Sequence, residues 1–220
     1  MNLSKCQIFT PPDIVKHMLD TIEYTENIYG KRIVDNSCGS GNILVEIVKR
    51  FIADAKRQKK RKATIKKGLE SCIYGYDIDP KMVNLCIENL NKVAINAGLT
   101  DVQWNIFNED GLYIDDNTFD YVVGNPPYIA YLNLDVKTRV NTKDNFCSCK
   151  LGKFDYSYAF IEKGLNLLKD NGKMVMITPA TKVFKKAFLG QIELPNTKQD
   201  WKKKYPPITN IKSFNVRVNV

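Results

Sequence analysis

Residues 119–131, FDYVVGNPPYIAY, combine residue types that can hold one polar group in a fixed position. Val122–Val123 predict the end of a buried strand, because a short β-branched run bounded by Gly and Pro suits a parallel sheet covered on both faces. Pro126–Pro127 lack backbone N–H donors and restrict φ. We therefore expect a stiff loop that holds the Asn125 side chain in one place at the carboxyl end of a strand.

Acidic side chains follow three other apolar stretches of the chain in the same way. Asp35 ends RIVD, Asp77 ends IYGYD, and Asp110 follows VQWNIF. Taken singly, each acid is better explained as a helix cap or a turn residue. Together with Asn125 they put polar groups at four strand ends, and ligands of parallel sheets bind outside the carboxyl ends of the strands. The pattern therefore predicts one binding site built from these ends.

The stretch DNSCGSGN after the first strand indicates which kind of ligand binds there. Gly39 and Gly41 lack a Cβ atom and so let a ligand approach the backbone. Leu44 stands where a pyrophosphate-binding G-x-G-x-x-G turn has its third glycine. The pattern favours a ligand without a diphosphate, and Asp77 is suited to accept hydrogen bonds from ribose hydroxyls.

Helices and strands alternate along the predicted fold. Helices are predicted from Thr10 as N-cap with Pro11 at the first helical position, from the glycine turn, from Asp79–Pro80 and from Asp155. The last of them is predicted to end in a turn at Asn171–Gly172. Strands are predicted in RIVDNS, SCIYGYDID, VQWNIF, FDYVVGN and KMVMITP. This alternation predicts an α/β fold with a doubly wound, mostly parallel sheet and right-handed crossovers.

Length and charge limit the classes of function. A chain of 220 residues is long enough for one sizeable core, so we expect one domain. The net charge of +9 is matched by residues 49–67 alone, which hold ten Lys or Arg and one acid, Asp54. This run fits a solvated helix end or loop as well as a phosphate-binding patch. No apolar run approaches the roughly 18 residues that span a bilayer, and no signal peptide is recognisable, so we expect a cytoplasmic protein.

The six cysteines are scattered, and only Cys147 and Cys149 are close together. With His17 as the only histidine, no zinc-finger spacing can be assembled. The sequence therefore predicts free, partly buried thiols and no metal site.

Several motifs in a single order resemble a known enzyme family. FTPP, DNSCGSGNIL, YGYDIDP, NEDGL, GNPPY and DYSYAFIEKGLNLLKDNGKMVMITPA occur with the order and spacing of the gamma-arranged N6-adenine DNA methyltransferases of restriction-modification systems. The resemblance covers residues 9–180, and the combination is specific although no single motif is. It implies the Rossmann-like methyltransferase fold, S-adenosylmethionine as cofactor and DNA as substrate.

The resemblance also implies a role in cofactor binding for nine residues. Those expected at the methionine part of the cofactor are Thr10, Pro11, Asp35, Cys38, Gly39 and Gly41. Asp77 would hold the ribose, Ile78 would pack on the adenine ring, and Asp110 would accept a hydrogen bond from the cofactor's exocyclic amine.

A second set of residues is expected to act on the substrate adenine. The catalytic residues that the resemblance implies are Asn125, Pro126, Pro127 and Tyr128. The Asn125 side-chain oxygen and the Pro126 carbonyl would each accept one N6 hydrogen, and Tyr128 would stack on the flipped base. Phe160 would contact the base from another side, although its spacing alone fits a core-facing helix residue better.

The resemblance ends near Phe188. We therefore expect a catalytic domain at residues 1–190 and a divergent C-terminal segment at residues 191–220, without a target-recognition domain. A separate target-recognition subunit would then read the DNA, unless the chain is a truncated product or a fragment. The stretch DWKKKYPP is better explained as a solvated tail than as a site of contacts with DNA phosphates.

Other functions stay open at this point. A protein-glutamine N5 methyltransferase of the release-factor kind also holds a planar amide nitrogen in an NPPY loop, although FTPP and DYSYAFIEKGL fit the adenine class better. RNA adenine methylation and a truncated cofactor-binding remnant without activity are further alternatives. A protein that only binds nucleic acid explains the charge but not the four polar strand ends.

Overall fold

Five strands form one sheet in the computed structural model, which describes residues 10–115, 118–150 and 152–178. The strands are β1 (Ile33–Asp35), β2 (Ile73–Tyr76), β3 (Asn105–Phe107), β4 (Phe119–Gly124) and β5 (Leu168–Met176). Their order in the sheet is β3-β2-β1-β4-β5, and every pairing is parallel. The predicted parallel sheet is confirmed. The strand order reverses at β1, which pairs with β2 on one side and with β4 on the other, so β1 lies at the topological switch point.

In the described part of the chain, six α-helices lie between or before these strands. They are α1 (Pro12–Thr21), α2 (Asn42–Arg57), α3 (Lys62–Cys72), α4 (Pro80–Asn96), α5 (Val136–Asn145) and α6 (Ser157–Leu167). Helices α1, α2, α4 and α6 were predicted from apolar spacing and capping residues. Helices α3 and α5 were not predicted, because α3 begins inside the basic run and α5 carries few apolar residues.

The two faces of the sheet pack in separate apolar clusters, as the alternation of side chains along a strand requires. Ile33 and Val123 face a large cluster that includes the buried faces of α1, α2, α3 and α4. Val34 and Val122 face the other cluster, which includes Leu167 at the end of α6. Each face of the sheet is therefore covered, in agreement with the near-continuous apolar composition of β1 and β4.

The first helix begins one residue later than predicted. Pro11 is the N-cap, with an extended ψ of 148°, and Pro12 is the first helical residue. The prediction of Thr10 as N-cap is wrong, because the residue before a proline disfavours the helical conformation and Pro12 therefore holds Pro11 outside the helix. No side chain caps this helix. The Thr10 hydroxyl is therefore available for another partner.

The predicted turn at Asn171 and Gly172 is an irregularity inside β5. Helix α6 ends at Leu167 and β5 begins at the next residue. Pairing with β4 jumps from Phe119 opposite Leu168 to Tyr121 opposite Lys173, so β5 has more residues than β4 in this interval. Asn171 has a φ of +64°, as the predicted turn required. The prediction that the chain turns at Asn171 is therefore confirmed, but the prediction that this turn separates the helix from the strand is wrong.

The basic run at residues 49–67 spans the end of α2, a short turn and the start of α3. Helix α2 starts after the carboxyl end of β1 and crosses the sheet, and α3 ends at Cys72, directly before the first residue of β2. The basic turn therefore lies toward the amino ends of the strands. This position agrees with the interpretation of the basic run as a solvated helix end or loop between two core elements.

Two further predictions concern the described residues. None of the helices in this part of the chain is long and apolar enough to cross a membrane. The five cysteines that the structure describes are free thiols, four of them buried and Cys147 exposed. Residues 179–220, including the predicted C-terminal segment, lie outside the described residues.

The loop before β1 depends on a buried carboxylate, Asp54 of α2. Its oxygens accept hydrogen bonds from the backbone N–H groups of residues 27–29 at 2.9–3.1 Å and from the Gln58 side chain at 2.9 Å. We predict that Asp54→Ala lowers the free energy of unfolding by about 2–4 kcal/mol, because these donors lose their acceptor away from water. Urea unfolding would measure the change. Glu88→Ala, at an exposed site on α4, is the control, and equal midpoints for the two variants would contradict the assignment.

Candidate functional site

The ends of β1, β2 and β4 meet at one edge of the sheet. Asp35 pairs with Gly75 of β2 and Val123 of β4, so its side chain lies between the two neighbouring strand ends. A Cβ atom on Gly124 would be 3.5 Å from Asp35 Oδ1. The Asp77 carboxylate accepts a hydrogen bond from the Gly39 N–H at 2.9 Å and so joins the loop after β2 to the loop after β1. The structure thus brings these predicted site residues together.

The glycine turn after β1 approaches α4 closely. Gly41 has a φ of +83°, and a Cβ atom there would lie 2.5 Å from the Cys86 Sγ atom. Gly39 also has a positive φ, of +52°, but a Cβ atom there would meet no atom within 4 Å. Gly41 is therefore required for packing as well as for its φ, whereas the space beside Gly39 is open to a ligand.

Cys38 points into the protein and not into this open space. Its side chain is 6% exposed, and its Sγ atom would be 3.1 Å from a Cβ atom on Gly75. A hydrogen bond with Cys86, together with burial, raises the pKa of the Cys38 thiol well above its usual value. The backbone N–H of Cys38 donates to the Tyr76 carbonyl at 3.0 Å. Both the backbone N–H of Cys38 and its thiol, which donates to the Gly39 carbonyl at 3.8 Å, therefore help to fix the turn beside the open space.

Asp35 is followed by two polar residues that the sequence prediction did not include. Asn36 Oδ1 and Ser37 Oγ are buried and have no hydrogen-bond partner among the described residues. The Asp35 carboxylate accepts the Ser37 N–H at 3.1 Å, and burial raises the pKa of Asp35 to about 7. This end of β1 therefore collects acceptor oxygens in a buried place. The polar run DNS directly after a buried strand is the sequence signal that could have identified them.

The acids after β2 and β3 are each held by backbone donors. Asp77 Oδ1 accepts the Asp79 N–H at 2.9 Å, and Asp110 Oδ1 accepts the Leu112 N–H at 3.0 Å. Burial raises the pKa of both carboxyl groups, although these hydrogen bonds oppose the shift. Next to Asp77, the Ile78 side chain is 49% exposed. A positioned carboxylate and an exposed apolar side chain thus lie next to each other after β2.

Asn125 lies at the centre of a hydrogen-bonded group at the end of β4. Its Nδ2 atom donates to Thr10 Oγ1 at 3.1 Å, and the Tyr128 hydroxyl lies 2.6 Å from its Oδ1 atom. The same hydroxyl lies 2.8 Å from the Ile177 carbonyl, just after β5. Pro126 is buried between them, and no peptide bond of the described residues is cis. The stiff loop predicted for this stretch thus has both ends of the Asn125 amide occupied.

Phe160 lies in the protein interior. It is 6% exposed and packs in an apolar cluster that includes Ile129, Phe146 and Phe154. This burial agrees with its spacing on α6, and contact with a substrate base stays a prediction. Tyr156, which the sequence prediction did not include, meets the Phe160 ring edge-on at 5.5 Å. Burial and the nearby Asp110 raise the pKa of the Tyr156 hydroxyl.

Comparison with protein families identifies two sequence models that match more than half of the chain. The Eco57I restriction-modification methylase model matches residues 85–198. The RMKL-like methyltransferase domain model matches residues 19–139. The two matches overlap across the loop that carries Asn125.

Curated relatives are similar over most of this chain but are much longer. Modification methylase CviBIII of Paramecium bursaria Chlorella virus NC1A is 28% identical over 174 residues, which are 79% of this chain and 37% of the relative. The type II methyltransferase M.BstVI of Geobacillus stearothermophilus is 27% identical over 183 residues, 77% of this chain and 32% of the relative. The chain thus spans about a third of the length of these relatives.

Solved structures share the fold. The DrdV–DNA complex aligns with a TM-score of 0.61 and 17% identity, over 83% of this chain and 21% of that one. A class I S-adenosylmethionine-dependent methyltransferase from Listeria monocytogenes aligns with a TM-score of 0.55 and 20% identity, over 84% of this chain and 53% of that one. The Rossmann-like fold expected from the sequence is therefore confirmed.

The buried Asp35 carboxyl makes a testable contribution to pH-dependent stability. Its pKa is raised from 3.8 to about 7, so between these values the folded protein keeps a proton that the unfolded chain has lost. The free energy of unfolding therefore falls as the pH rises through this interval. We predict that Asp35→Asn, which cannot ionise, gains stability relative to the wild type between pH 5 and pH 8, by about 1–3 kcal/mol.

Urea midpoints at pH 5 and pH 8 would measure this gain. Asp13→Asn, at an exposed position in the first turn of α1, is the matched control and should differ from the wild type equally at both pH values. An equal difference for Asp35→Asn would contradict the raised pKa.

Proposed function

Because this chain belongs to the Eco57I restriction-modification methylase family, we propose that it transfers a methyl group from S-adenosylmethionine to the N6 amino group of adenine in DNA. The observation that carries the proposal is the position of Asn125. Its amide lies in an Asn-Pro-Pro-Tyr loop at the carboxyl end of β4, directly after Gly124, which approaches the polar end of β1 at Asp35. Since the relatives are about three times as long, the proposal covers the catalytic step within a larger activity.

The residues at the glycine turn fit S-adenosylmethionine. This cofactor supplies a methyl group on a positively charged sulfur and also carries an ammonium group, a ribose diol and an adenine ring. Asp35 offers acceptors to a cationic, hydrogen-bonding group, as do Asn36 Oδ1 and Ser37 Oγ, which have no hydrogen-bond partner among the described residues. The space beside Gly39 is open to the backbone approach that such a ligand needs.

The residues after β2 and β3 suit the nucleoside part of the cofactor. Asp77 would accept hydrogen bonds from the ribose hydroxyls, since each of its oxygens has lone pairs beyond the one backbone donor it serves. The exposed Ile78 side chain would cover one face of the adenine ring. Asp110, with one oxygen on the Leu112 N–H, would accept from the exocyclic amine.

Asn125 would act on the substrate amine. The N6 lone pair of adenine is delocalised into the ring, which makes this nitrogen a poor nucleophile. If the Asn125 oxygen and the Pro126 carbonyl each accept one N6 hydrogen, the nitrogen shifts toward tetrahedral geometry and its lone pair becomes available. The contribution of the protein is then positioning and electrostatic stabilisation, which stiff loops at strand ends supply well.

The target base must leave the DNA duplex to reach Asn125. Its N6 atom is inaccessible to an enclosed site while the base is stacked and paired. Tyr128, three residues after Asn125 and half-buried, would stack on the flipped base. The roles that the resemblance implied for Phe160 and Pro127 stay predictions. Phe160 is buried in this structure.

DNA is favoured as the substrate by the names of the relatives, which include type II methyltransferases and a type I restriction enzyme methylase subunit of Methanocaldococcus jannaschii. Similar folds occur in a modification subunit of a type I restriction enzyme from Vibrio vulnificus. We therefore propose a separate target-recognition subunit as partner.

The proposal predicts a separation of methyl transfer from cofactor binding at Asn125. We predict that Asn125→Ala lowers the rate of N6-methyladenine formation by at least about 100-fold, because the substrate amine loses one acceptor, and leaves the cofactor dissociation constant nearly unchanged. Mass spectrometry of hydrolysed nucleosides would measure the product on unmethylated DNA of mixed sequence. Asn84→Ala, at an exposed site on α4, is the control. Equal loss of both properties would contradict the role of Asn125.

The same assay distinguishes the alternative substrates. N6-methyladenine in RNA but not in DNA, or methylation of a glutamine peptide, would replace DNA adenine as the substrate. Cofactor binding without any transfer, even with a target-recognition subunit added, would indicate an inactive remnant.

Ile78 offers a test of cofactor binding that is independent of folding. Its side chain is 49% exposed, so we predict that Ile78→Ala changes the urea midpoint little but weakens S-adenosylmethionine binding about tenfold, since apolar contact area with the adenine ring is lost. Isothermal titration calorimetry would measure the affinity. Ile95→Ala, at a site 61% exposed on α4, is the matched control. Unchanged affinity in Ile78→Ala would remove Ile78 from the cofactor site.

A further inference from the structure

Thr10 and Asn125 are 115 positions apart in the sequence and in contact in the fold. The Asn125 Nδ2 atom donates to Thr10 Oγ1 at 3.1 Å, and the Thr10 side chain is 4% exposed. A buried hydroxyl in this position is shielded from water, so its contact with the amide is not in competition with solvent. The resemblance had implied only that Thr10 borders the methionine part of the cofactor.

The orientation of the Asn125 amide decides whether it can serve a substrate amine. An amide side chain has one end that accepts hydrogen bonds and one end that donates them. An amine that presents N–H groups needs the oxygen, and a rotated amide would offer it a second donor instead. Whatever holds the nitrogen of Asn125 away from the substrate therefore keeps the oxygen available.

Thr10 is itself fixed by its position before α1. Pro11 and Pro12 restrict the backbone on its carboxyl side, and Pro11 is extended with a φ of −59° and a ψ of 148°. The following helix is anchored by Val15 and Leu19, which are 2% and 0% exposed. The hydroxyl that meets Asn125 thus belongs to a rigid part of the structure.

The contact at the oxygen end of the amide is exchangeable. The Tyr128 hydroxyl lies 2.6 Å from Asn125 Oδ1 and 2.8 Å from the Ile177 carbonyl oxygen, and its single proton serves one of the two at a time. Tyr128 can therefore turn its proton to Ile177 when another donor approaches Asn125. In the arrangement that the structure shows, the Thr10 hydroxyl accepts from the amide nitrogen and so does not compete with a substrate amine for the oxygen.

We propose that Thr10 is a positioning residue for the reaction. Its hydroxyl accepts from Asn125 Nδ2 and keeps the amide oxygen directed at the N6 amine of the substrate. The FTPP segment then acts on the base side of the site through Asn125. This inference rests on the proposed function, because it assigns Thr10 a part in the same transfer.

Kinetics of two variants test the proposal. Thr10→Val removes the hydroxyl at nearly constant volume, and Thr10→Ser keeps it. At saturating cofactor, we expect Thr10→Val to lower kcat for N6-methyladenine formation about tenfold or more, with KM for DNA and the cofactor dissociation constant within about twofold of the wild type. Thr10→Ser should recover kcat to within about threefold. A cofactor affinity that falls in Thr10→Val while kcat at saturation is unchanged would overturn the proposal.

A stability measurement tests the contact without any catalysis. Urea midpoints of Thr10→Val, Asn125→Ala and the double variant form a double-mutant cycle. We expect the double variant to be less destabilised than the two single changes added together, and additive effects would overturn the proposal. If Thr10→Val does not fold, Thr10→Ala takes its place in both experiments. Absence of N6-methyladenine with the wild type would count against the proposed function, while the cycle would still decide the contact.

Discussion

The site depends on one constraint, the pairing of β1 between β2 and β4 in a parallel sheet. Because β1 has three residues, its end brings Asp35 directly between the loops that follow its two neighbours. The next residue, Asn36, packs closely against Gly111. A Cβ atom on Gly111 would overlap the Asn36 carbonyl oxygen. Asn36 Nδ2 also lies 3.5 Å from the Phe160 carbonyl of α6. The end of β1 thus connects the cofactor side of the site to the side on which Asn125 lies.

This arrangement places two carboxyl groups, those of Asp35 and Asp77, where water is scarce. Asp35 is buried, and the nearby Asp77 carboxylate adds to the burial that raises the pKa of Asp35. An isolated buried carboxylate is unfavourable, and a cation that enters such a place removes part of that cost. The electrostatics of this pair of acids therefore favour a ligand with positive charge, in agreement with the glycine turn that favoured a ligand without a diphosphate. The buried acids and the glycine turn, both at the end of β1, thus favour the same class of cofactor, one with positive charge and without a diphosphate.

Sequence patterns predicted the parts of the structure that depend on local order. The strands, the glycine turn and the acids at strand ends were identified because a parallel sheet ties each of them to a fixed place in its own βα unit. The Thr10 contact was missed because it joins residues 115 positions apart, and Thr10 was assigned to a helix cap that Pro12 prevents. Helix α3 was missed because its basic first turns concealed a short buried face formed by Ile65, Gly68, Leu69 and Cys72.

The distribution of charge bears on how DNA would be held at this edge. Phosphate neutralisation by Lys and Arg supplies much of the affinity of proteins for DNA. The basic residues at 49–67 lie toward the amino ends of the strands, away from Asn125, and the edge of the sheet that carries Asn125 also carries the acids Asp35 and Asp77. Residues 179–220 contain nine Lys or Arg and two acids. The described chain before them reaches the edge of the sheet that carries Asn125, where the Ile177 carbonyl accepts from the Tyr128 hydroxyl. If Asn125 acts on a flipped base as we propose, the cations that hold the DNA beside it would come from α5, which carries Lys137, Arg139 and Lys143, from residues 179–220 or from a target-recognition subunit.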